Sequence, residues 1–247
     1  MRRGPVVLLA ILGLTAAAAA NQDVRPPAPL PSIDELFDKY VEGLGGQAAL
    51  DKIKTRIIKA SMVSSADTTS TTTVEEYSKA PDSWAFFLEG PTPASSAAMG
   101  IVGSSSWIQQ GEAASREMSP IELANAKLGW YTRDRRLKTA YKAMTVRGRE
   151  TIDGVDVYVV DTVPMFGNPD RLYFDTRGGL LVRMDRRGLY GELVNYLEDY
   201  RAIDGVKLAF TTRNEFKSQG MTRVVTITEV KHNVPIDDAV FRAPKSQ

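Results

Sequence analysis

Residues 192–216 read ELVNYLEDYRAIDGVKLAFTTRNEF, and this stretch decides the fold class. Asp204-Gly205 interrupts two runs rich in β-branched and aromatic residues. The positive φ angles of a two-residue hairpin turn suit Asp and Gly, so Glu192–Tyr200 and Val206–Phe216 are predicted to pair as antiparallel strands. After the turn, Val206, Leu208 and Phe210 recur with a period of two, while the residues between them are mixed or polar. Successive side chains of a strand point to opposite faces, so this ribbon has one oily side and one wetter side.

The same pattern extends in both directions. Asp153-Gly154 joins Lys142–Thr151 to Val155–Val163, the turn Thr176–Gly179 joins Arg171–Asp175 to Leu180–Arg186, and Arg223–His232 forms the last predicted strand. Upstream lie Ile57–Val63, Thr72–Lys79, Ser83–Leu88, Met99–Val102 and Ser106–Gln109, with the polar run Ser64–Thr73 read as a hairpin tip. Trp84, Phe86 and Leu88 are placed on one side of their strand, and Leu180, Val182 and Met184 on one side of theirs. Strands this closely spaced can pair only as an antiparallel meander, because parallel neighbours need crossovers of about a dozen residues or more. The oily face of such a sheet must be covered by helices or by an apolar guest.

Two segments can provide the cover. Ser32 opens a helix with Glu35 three positions on, as a capping box requires; Ile33, Leu36, Phe37, Tyr40 and Val41 follow at helical spacing, Gly43–Gly46 stops it, and a second short turn is predicted over Gln47–Ile53. Ser119-Pro120 opens an internal helix that runs to about Tyr131, with serine at the cap and proline at the first helical position. Its apolar residues spread beyond one narrow stripe, which points to contact on more than one side and to packing across an open end or concave face.

Catalytic signals are sparse. The chain of 247 residues has no cysteine and one histidine, His232, so thiolate metal sites, disulfides and a Cys–His pair are excluded. No Gly-x-Ser-x-Gly elbow accompanies His232, and no EF-hand pattern is present. The adjacent pairs Glu75-Glu76, Glu198-Asp199 and Asp237-Asp238 point to opposite faces of extended chain and are read as solvated edges. Neither catalytic residues, nor a cofactor, nor a metal is therefore expected. The segment Arg133, Arg135, Arg136, Lys138 and Lys142 is the one notable basic cluster, with Arg186 and Arg187 as a smaller echo. It is a solvated face by default, with Arg133, Arg135, Arg136 and Lys138 as a contact for lipid head groups or an acidic partner as the sharper option.

The amino terminus has the form of an export signal. Arg2 and Arg3 precede an apolar run from Val6 and a small-residue site at Ala18–Ala20, so residues 1–20 are predicted as a signal peptide cut after Ala20. The apolar run is shorter than the ~20 residues that span a bilayer. Without cysteine, a lipid-modified cysteine is impossible, so a free exported chain is expected. Residues 21–31, with Pro26, Pro27, Pro29 and Pro31, are read as an extended linker. Losing the two leader arginines takes the formal net charge from +1 to slightly negative, which offers no steering for nucleic acid.

Taken in order, further residues resemble the LolA-like outer-membrane lipoprotein-sorting proteins of the bacterial periplasm. They are Ile33-Asp34-Glu35-Leu36 with Gly45-Gly46, Val146-x-Gly148-x-Glu150 with Gly154 and Tyr158-Val159-Val160, and Leu172–Asp175 with Gly179-Leu180-Leu181. Asp199-Tyr200-Arg201 with Asp204–Leu208, and Asn233–Asp238 with Phe241 and Pro244, complete the set. The resemblance covers Ile33 to Pro244 and implies one half-barrel domain over residues 32–247: a mainly β fold whose strongly curved antiparallel sheet forms an incomplete β-barrel, lidded by the N-terminal and internal helices. It also implies a periplasmic, monomeric carrier that holds lipid or lipoprotein acyl chains and exchanges them between donor and acceptor proteins of the inner and outer membranes. The residues guessed to line the cavity are Trp84, Phe86, Leu88, Ile101, Trp107, Leu123, Leu128 and Trp130. A sensor or scaffold that docks a protein partner is the alternative of another class. An apolar cavity of roughly 300 Å³ or more would mark a guest site, whereas a sheet filled by its own side chains would remove it.

Overall fold

The computed structural model describes residues 29–188 and 191–244; the expected leader, and the linker as far as residue 28, lie outside the described residues. Helices α1 (Ile33–Gly43) and α2 (Gln47–Lys52) lead into β1 (Thr55–Ser64), β2 (Asp67–Lys79), β3 (Ser83–Glu89), β4 (Ala97–Val102) and β5 (Ser105–Gln110). Helix α3 (Pro120–Tyr131) and a 3-10 segment, Arg135–Ala140, precede β6 (Tyr141–Ile152), β7 (Val155–Pro164), β8 (Arg171–Asp175) and β9 (Leu181–Gly188). The chain ends in β10 (Gly191–Ile203), β11 (Val206–Phe216), β12 (Met221–His232) and a 3-10 turn, Asp238–Phe241.

All twelve strands join one antiparallel sheet in the order β5-β4-β3-β2-β1-β12-β11-β10-β9-β8-β7-β6. Strands adjacent in sequence are adjacent in space, with one exception: β5 and β6 occupy opposite edges. The sheet is therefore a curved, unclosed half-barrel, and the connection containing α3 must carry the chain from one edge to the other. It does so over the concave face, where α3 packs on β3–β5 through Trp84, Ile101, Ile108, Ala126 and Trp130.

Local chemistry accounts for the elements. Ser32 and Glu35 close a reciprocal capping box on α1, with the Ser32 backbone N–H donating to Glu35 Oε2 at 2.7 Å, and Ser119 and Glu122 do the same for α3, the Ser119 N–H to Glu122 Oε2 distance being 2.8 Å. Both Asp-Gly hairpins adopt the positive φ angles expected of them, 50° and 80° at Asp153-Gly154 and 50° and 81° at Asp204-Gly205. Helix α1 stops at Gly45 for a tertiary as well as a local reason: φ is +121°, and a Cβ there would stand 2.0 Å from the Gly205 carbonyl oxygen. This close approach lets the Lys207 N–H donate to the Leu44 carbonyl at 2.8 Å and clamps α1 onto the β10–β11 hairpin.

Two sequence expectations are corrected here. The run Ser64–Thr73 is not a hairpin tip over its length: β2 begins at Asp67, leaving a turn of only Ser65 and Ala66. Its threonines are β-branched and favour extended chain, and the Asp67 carboxylate accepts from the N–H groups of Thr69 and Ser70. Nor do Leu180, Val182 and Met184 share a face. A register shift in the β8–β9 pairing lies between Tyr173 and Phe174, so Leu181 and Met184 turn into the concave core while Val182 packs with Val157, Val159 and Tyr173 on the other side.

The concave side is built from three apolar clusters rather than one. Leu36, Phe37 and Tyr40 of α1 meet Phe174 edge to face, with ring centroids 5.6 Å (Phe37) and 5.5 Å (Tyr40) apart. Ile58, Val74, Leu208, Phe210 and Ile227 form a second cluster over the middle strands, and α3 with β3–β5 forms the third. The void described next is lined by residues of all three clusters.

Candidate functional site

A cleft of about 420 Å³, partly open to solvent, lies between α3 and the concave sheet. Trp84, Phe86, Met99 and Ile108 form one wall, Met118, Ala126 and Leu128 the roof, and Leu44, Met184, Leu197, Leu208 and Ala209 the opposite wall. Three methionines in such a lining give a deformable, polarizable surface. Polar groups also line it: the Glu76–Arg133 ion pair, Glu122 and Asn125 from α3, Arg186 from β9, and Asn195, Lys207, Thr212 and Asn214 from β10 and β11.

Of the residues expected to line this space, Trp84, Phe86 and Leu128 do so. The others are placed elsewhere. The register Phe86–Met99–Ile108 puts Ile108 on the concave face, so its neighbour Trp107 points to the convex side, in phase with Gly100 and Ala85. There Trp107 Nε1 donates to the Phe241 carbonyl at 2.7 Å, and Gly100 makes room for its ring. Ile101 and Leu123 are used in the packing of α3 on the sheet, Leu88 lies beyond Phe86 towards the strand end, and Trp130 stacks behind Trp84 at 6.2 Å. Trp84 Nε1, between the rings of Phe86 and Trp130, has no partner among the described residues.

Each of the four cations expected as a head-group or partner contact has a carboxylate partner within the chain. Arg133 pairs with Glu76 at 3.1 Å, Arg135 with Asp51 at 3.3 Å, Arg136 with Asp134 at 2.7 Å, and Lys138 with Asp34. Arg136 also lies 4.0 Å over the Trp130 ring. Every one of these cations is met by a carboxylate, and most of the bonds tie the α3 connection to α1, α2 or β2. Arg133 and Arg136 are well covered, whereas the side chains of Arg135 and Lys138 remain about half exposed.

Sequence reasoning missed Glu76, whose carboxylate was read as solvated. Glu75 does face outward, against Lys59 at 3.1 Å, but Glu76 alternates in phase with buried Val74 and is only 7% exposed. Its phase relative to Val74 was the available signal. Met118, Met184, Leu197 and Ala209 carried no local mark that separated lining from ordinary core.

Two further polar groups are buried nearby. Asp170, raised by burial against the pull of Arg186, accepts from the Tyr141 hydroxyl at 3.3 Å, and Arg186 donates to Asn125 at 2.7 Å. At the rim, Glu122 is held down to about 2 by the Arg116 guanidinium and by Ser119. It serves as a cap with a second anchor.

His232 is fully engaged. Its Nδ1–H donates to Asp204 at 3.1 Å, while Nε2 accepts from Arg56 Nε at 3.0 Å, so neither ring nitrogen is left to act as a base. Among the described residues no group of three or more His, Asp or Glu side chains could hold a metal ion, and no helix is long and apolar enough to cross a membrane. Burial and the Arg56 charge hold His232 below its ordinary 6.5, with Asp204 pulling the other way. A histidine whose folded pKa is depressed stabilises the fold fully above 6.5, and that stability is lost as pH falls below it, because the unfolded chain takes up the proton first. The melting temperature is therefore expected to fall between pH 7.5 and 5.5, and His232→Gln is expected to flatten that slope; an unchanged slope in the variant would contradict the assignment.

Comparison with known proteins supplies the fold name. No protein-family model matches the chain, and no curated protein does. Solved structures do match. A LolA superfamily protein from Nitrosomonas europaea superposes with a TM-score of 0.60 at 13% identity, covering 86% of this chain and 98% of that one. A domain named for outer membrane lipoprotein sorting, from Vibrio parahaemolyticus, gives 0.59 at 11% identity over 84% and 96%. The fold is LolA-like. A DUF1329 family protein from Desulfovibrio piger shares this LolA-like architecture, with a TM-score of 0.58 and 17% identity over 85% of this chain and 97% of that one. At these identities the likeness concerns the fold, and the LolA-like half-barrel must be read for function from its own cavity.

Proposed function

We propose that this chain is a periplasmic, non-enzymatic carrier that holds lipid, or the acyl chains of lipoproteins, for sorting toward the outer membrane. The observation that carries the reading is the cavity of about 420 Å³ walled by apolar side chains from three separate clusters. It exceeds the ~300 Å³ lower end of ligand pockets, and a core without a guest would be expected to close to crystal-like density. Hydrocarbon needs no catalytic group to be held: each buried methylene is worth about 0.8 kcal/mol, so ten contribute roughly 8 kcal/mol before the cost of ordering the chain.

Three further points support the reading. The leader-like amino terminus fits an exported protein. Two of the structural neighbours are named for lipoprotein sorting or for the LolA superfamily. Finally, both nitrogens of the one histidine are committed to structural bonds. Cargo would leave when a donor or acceptor protein, or opening of the α3 cover, offers it a better environment. The test is native mass spectrometry of gently purified protein together with titration of a fluorescent acyl probe. Co-purifying lipid and saturable probe binding are expected; a protein that is consistently empty and indifferent to the probe would overturn the proposal.

A further inference from the structure

Arg56 stands near the start of β1, 9% exposed, and among the described residues it makes no ion pair with a carboxylate. Its Nε donates to His232; its two terminal nitrogens have no hydrogen-bond partner among the described residues, yet they are not sealed from solvent. They open onto a second, polar pocket of about 370 Å³, bounded by the end of α2, the loop Ala80–Asp82 and the segment Arg133–Arg136. Burying a cation without a counter-charge is unfavourable, and burial lowers Arg56 to about 10 although nearby Glu76 acts in the opposite sense.

The acids around this pocket are already committed. Asp134 is held by Arg136 at 2.7 Å, Asp51 by Arg135 at 3.3 Å and Glu76 by Arg133 at 3.1 Å, while Asp82 lies 3.9 Å from Arg136. Lys79 turns away to Asp238 at 2.6 Å, and Lys54 adds a further cation to the wall. Arg56 is therefore left with uncommitted donors on the surface of the pocket. Arg133, paired with Glu76, lines both this pocket and the apolar cavity, so the two spaces adjoin at that ion pair.

We infer that the Arg56 pocket is an oxyanion subsite that seats the phosphate or carboxylate head of an amphiphile whose hydrocarbon occupies the adjoining cavity. This inference rests on the carrier reading and narrows its cargo to anionic amphiphiles. A guanidinium presents a planar fork of donors that matches two oxygens of a carboxylate or phosphate, and bonds of that charge-assisted kind are worth roughly a ten- to hundredfold change in affinity. Ser78 faces Arg56 across the β1–β2 register and also lines the pocket, so a carboxylate introduced there would occupy the subsite from within.

The experiment is calorimetric titration of the purified protein with hexadecanoate, with hexadecanol as the uncharged analogue, and with inorganic phosphate as competitor, on the wild type, Arg56→Gln and Ser78→Glu. Hexadecanoate is expected to bind about ten- to a hundredfold more tightly than hexadecanol in the wild type and no more tightly in either variant, with phosphate weakening only the charged ligand. Ser78→Glu is also expected to raise the melting temperature, which keeps the test decisive should Arg56→Gln fail to fold. Equal affinities in the wild type, or a preference that survives Ser78→Glu, would overturn the subsite while leaving the carrier reading intact. If neither amphiphile binds, the carrier reading fails and phosphate alone decides the subsite: stabilisation of the wild type but not of Ser78→Glu supports an anion site for free phosphate, and its absence rules the site out.

Discussion

Gly129→Leu is expected to raise the stability of the protein and at the same time to weaken acyl binding roughly fiftyfold. Gly129 lies within α3 and lines the cavity, and an added Cβ would meet no atom within 4 Å. Glycine inside a helix is disfavoured by about 0.8–1 kcal/mol relative to alanine, and leucine lies close to alanine, so the helix gains most of that amount. The leucine side chain then takes space that hydrocarbon would use. Excluding about three methylenes at ~0.8 kcal/mol each removes roughly 2.4 kcal/mol, which is close to fiftyfold in the dissociation constant. Thermal melts and acyl-probe titrations of the same preparation provide the check. A variant that melts higher and still binds the probe as well as the wild type would show that the guest does not use the space under α3.

The second large effect concerns the ion pair beneath the same helix. Glu76→Leu is expected to destabilise the protein by about 3–5 kcal/mol, the range for leaving one member of a buried pair without its partner. Both members are well covered, with 22% of the Arg133 side chain and 8% of the Glu76 side chain exposed, and they are 3.1 Å apart. The loss would be larger than for a surface bridge because the carboxylate also offsets the charge of Arg56. Glu76→Leu combined with Arg133→Met should recover part of the loss, and only part, since Arg56 still lacks a counter-charge. Denaturant midpoints of the two single variants and the double variant measure this directly; full recovery in the double variant would show that Arg56 does not feel Glu76.

The two predictions differ in how well the sequence foreshadowed them. The helix containing Gly129 was legible from Ser119-Pro120 and the apolar residues that follow, because capping and helical spacing act over a few neighbouring residues. Its broad apolar surface pointed to an open end or the concave face, and the packing on β3–β5 decided for the concave face. The pairing of Glu76 with Arg133 joins residues 57 apart in the chain, and no local pattern connects them. The same holds for Lys138 with Asp34, 104 residues apart.

The guessed lining shows the same division at the scale of one residue. Alternation correctly put Trp84 and Phe86 together, yet Trp107 and Ile108 are neighbours of similar character, and only the pairing of β4 with β5 decides which of them faces inward. A one-residue phase sends Trp107 to the convex side under the C-terminal turn. Likewise the register shift between Tyr173 and Phe174 overrules the alternation through Leu180, Val182 and Met184, since such an irregularity is set by how two strands fit and not by either strand alone.

By itself, then, the sequence determined the twelve strands, the Asp-Gly hairpins, the two capped helices that cover the sheet and the antiparallel order of neighbours, because turn chemistry, capping and period-two patterning are properties of contiguous residues. Only the tertiary structure decided that side chains of three apolar clusters line a common cavity, and that Arg56 faces a polar pocket with no carboxylate of its own. Those outcomes depend on the curvature of the sheet and on which distant side chains meet, and the energies involved appear only when strands from both halves of the chain are brought together.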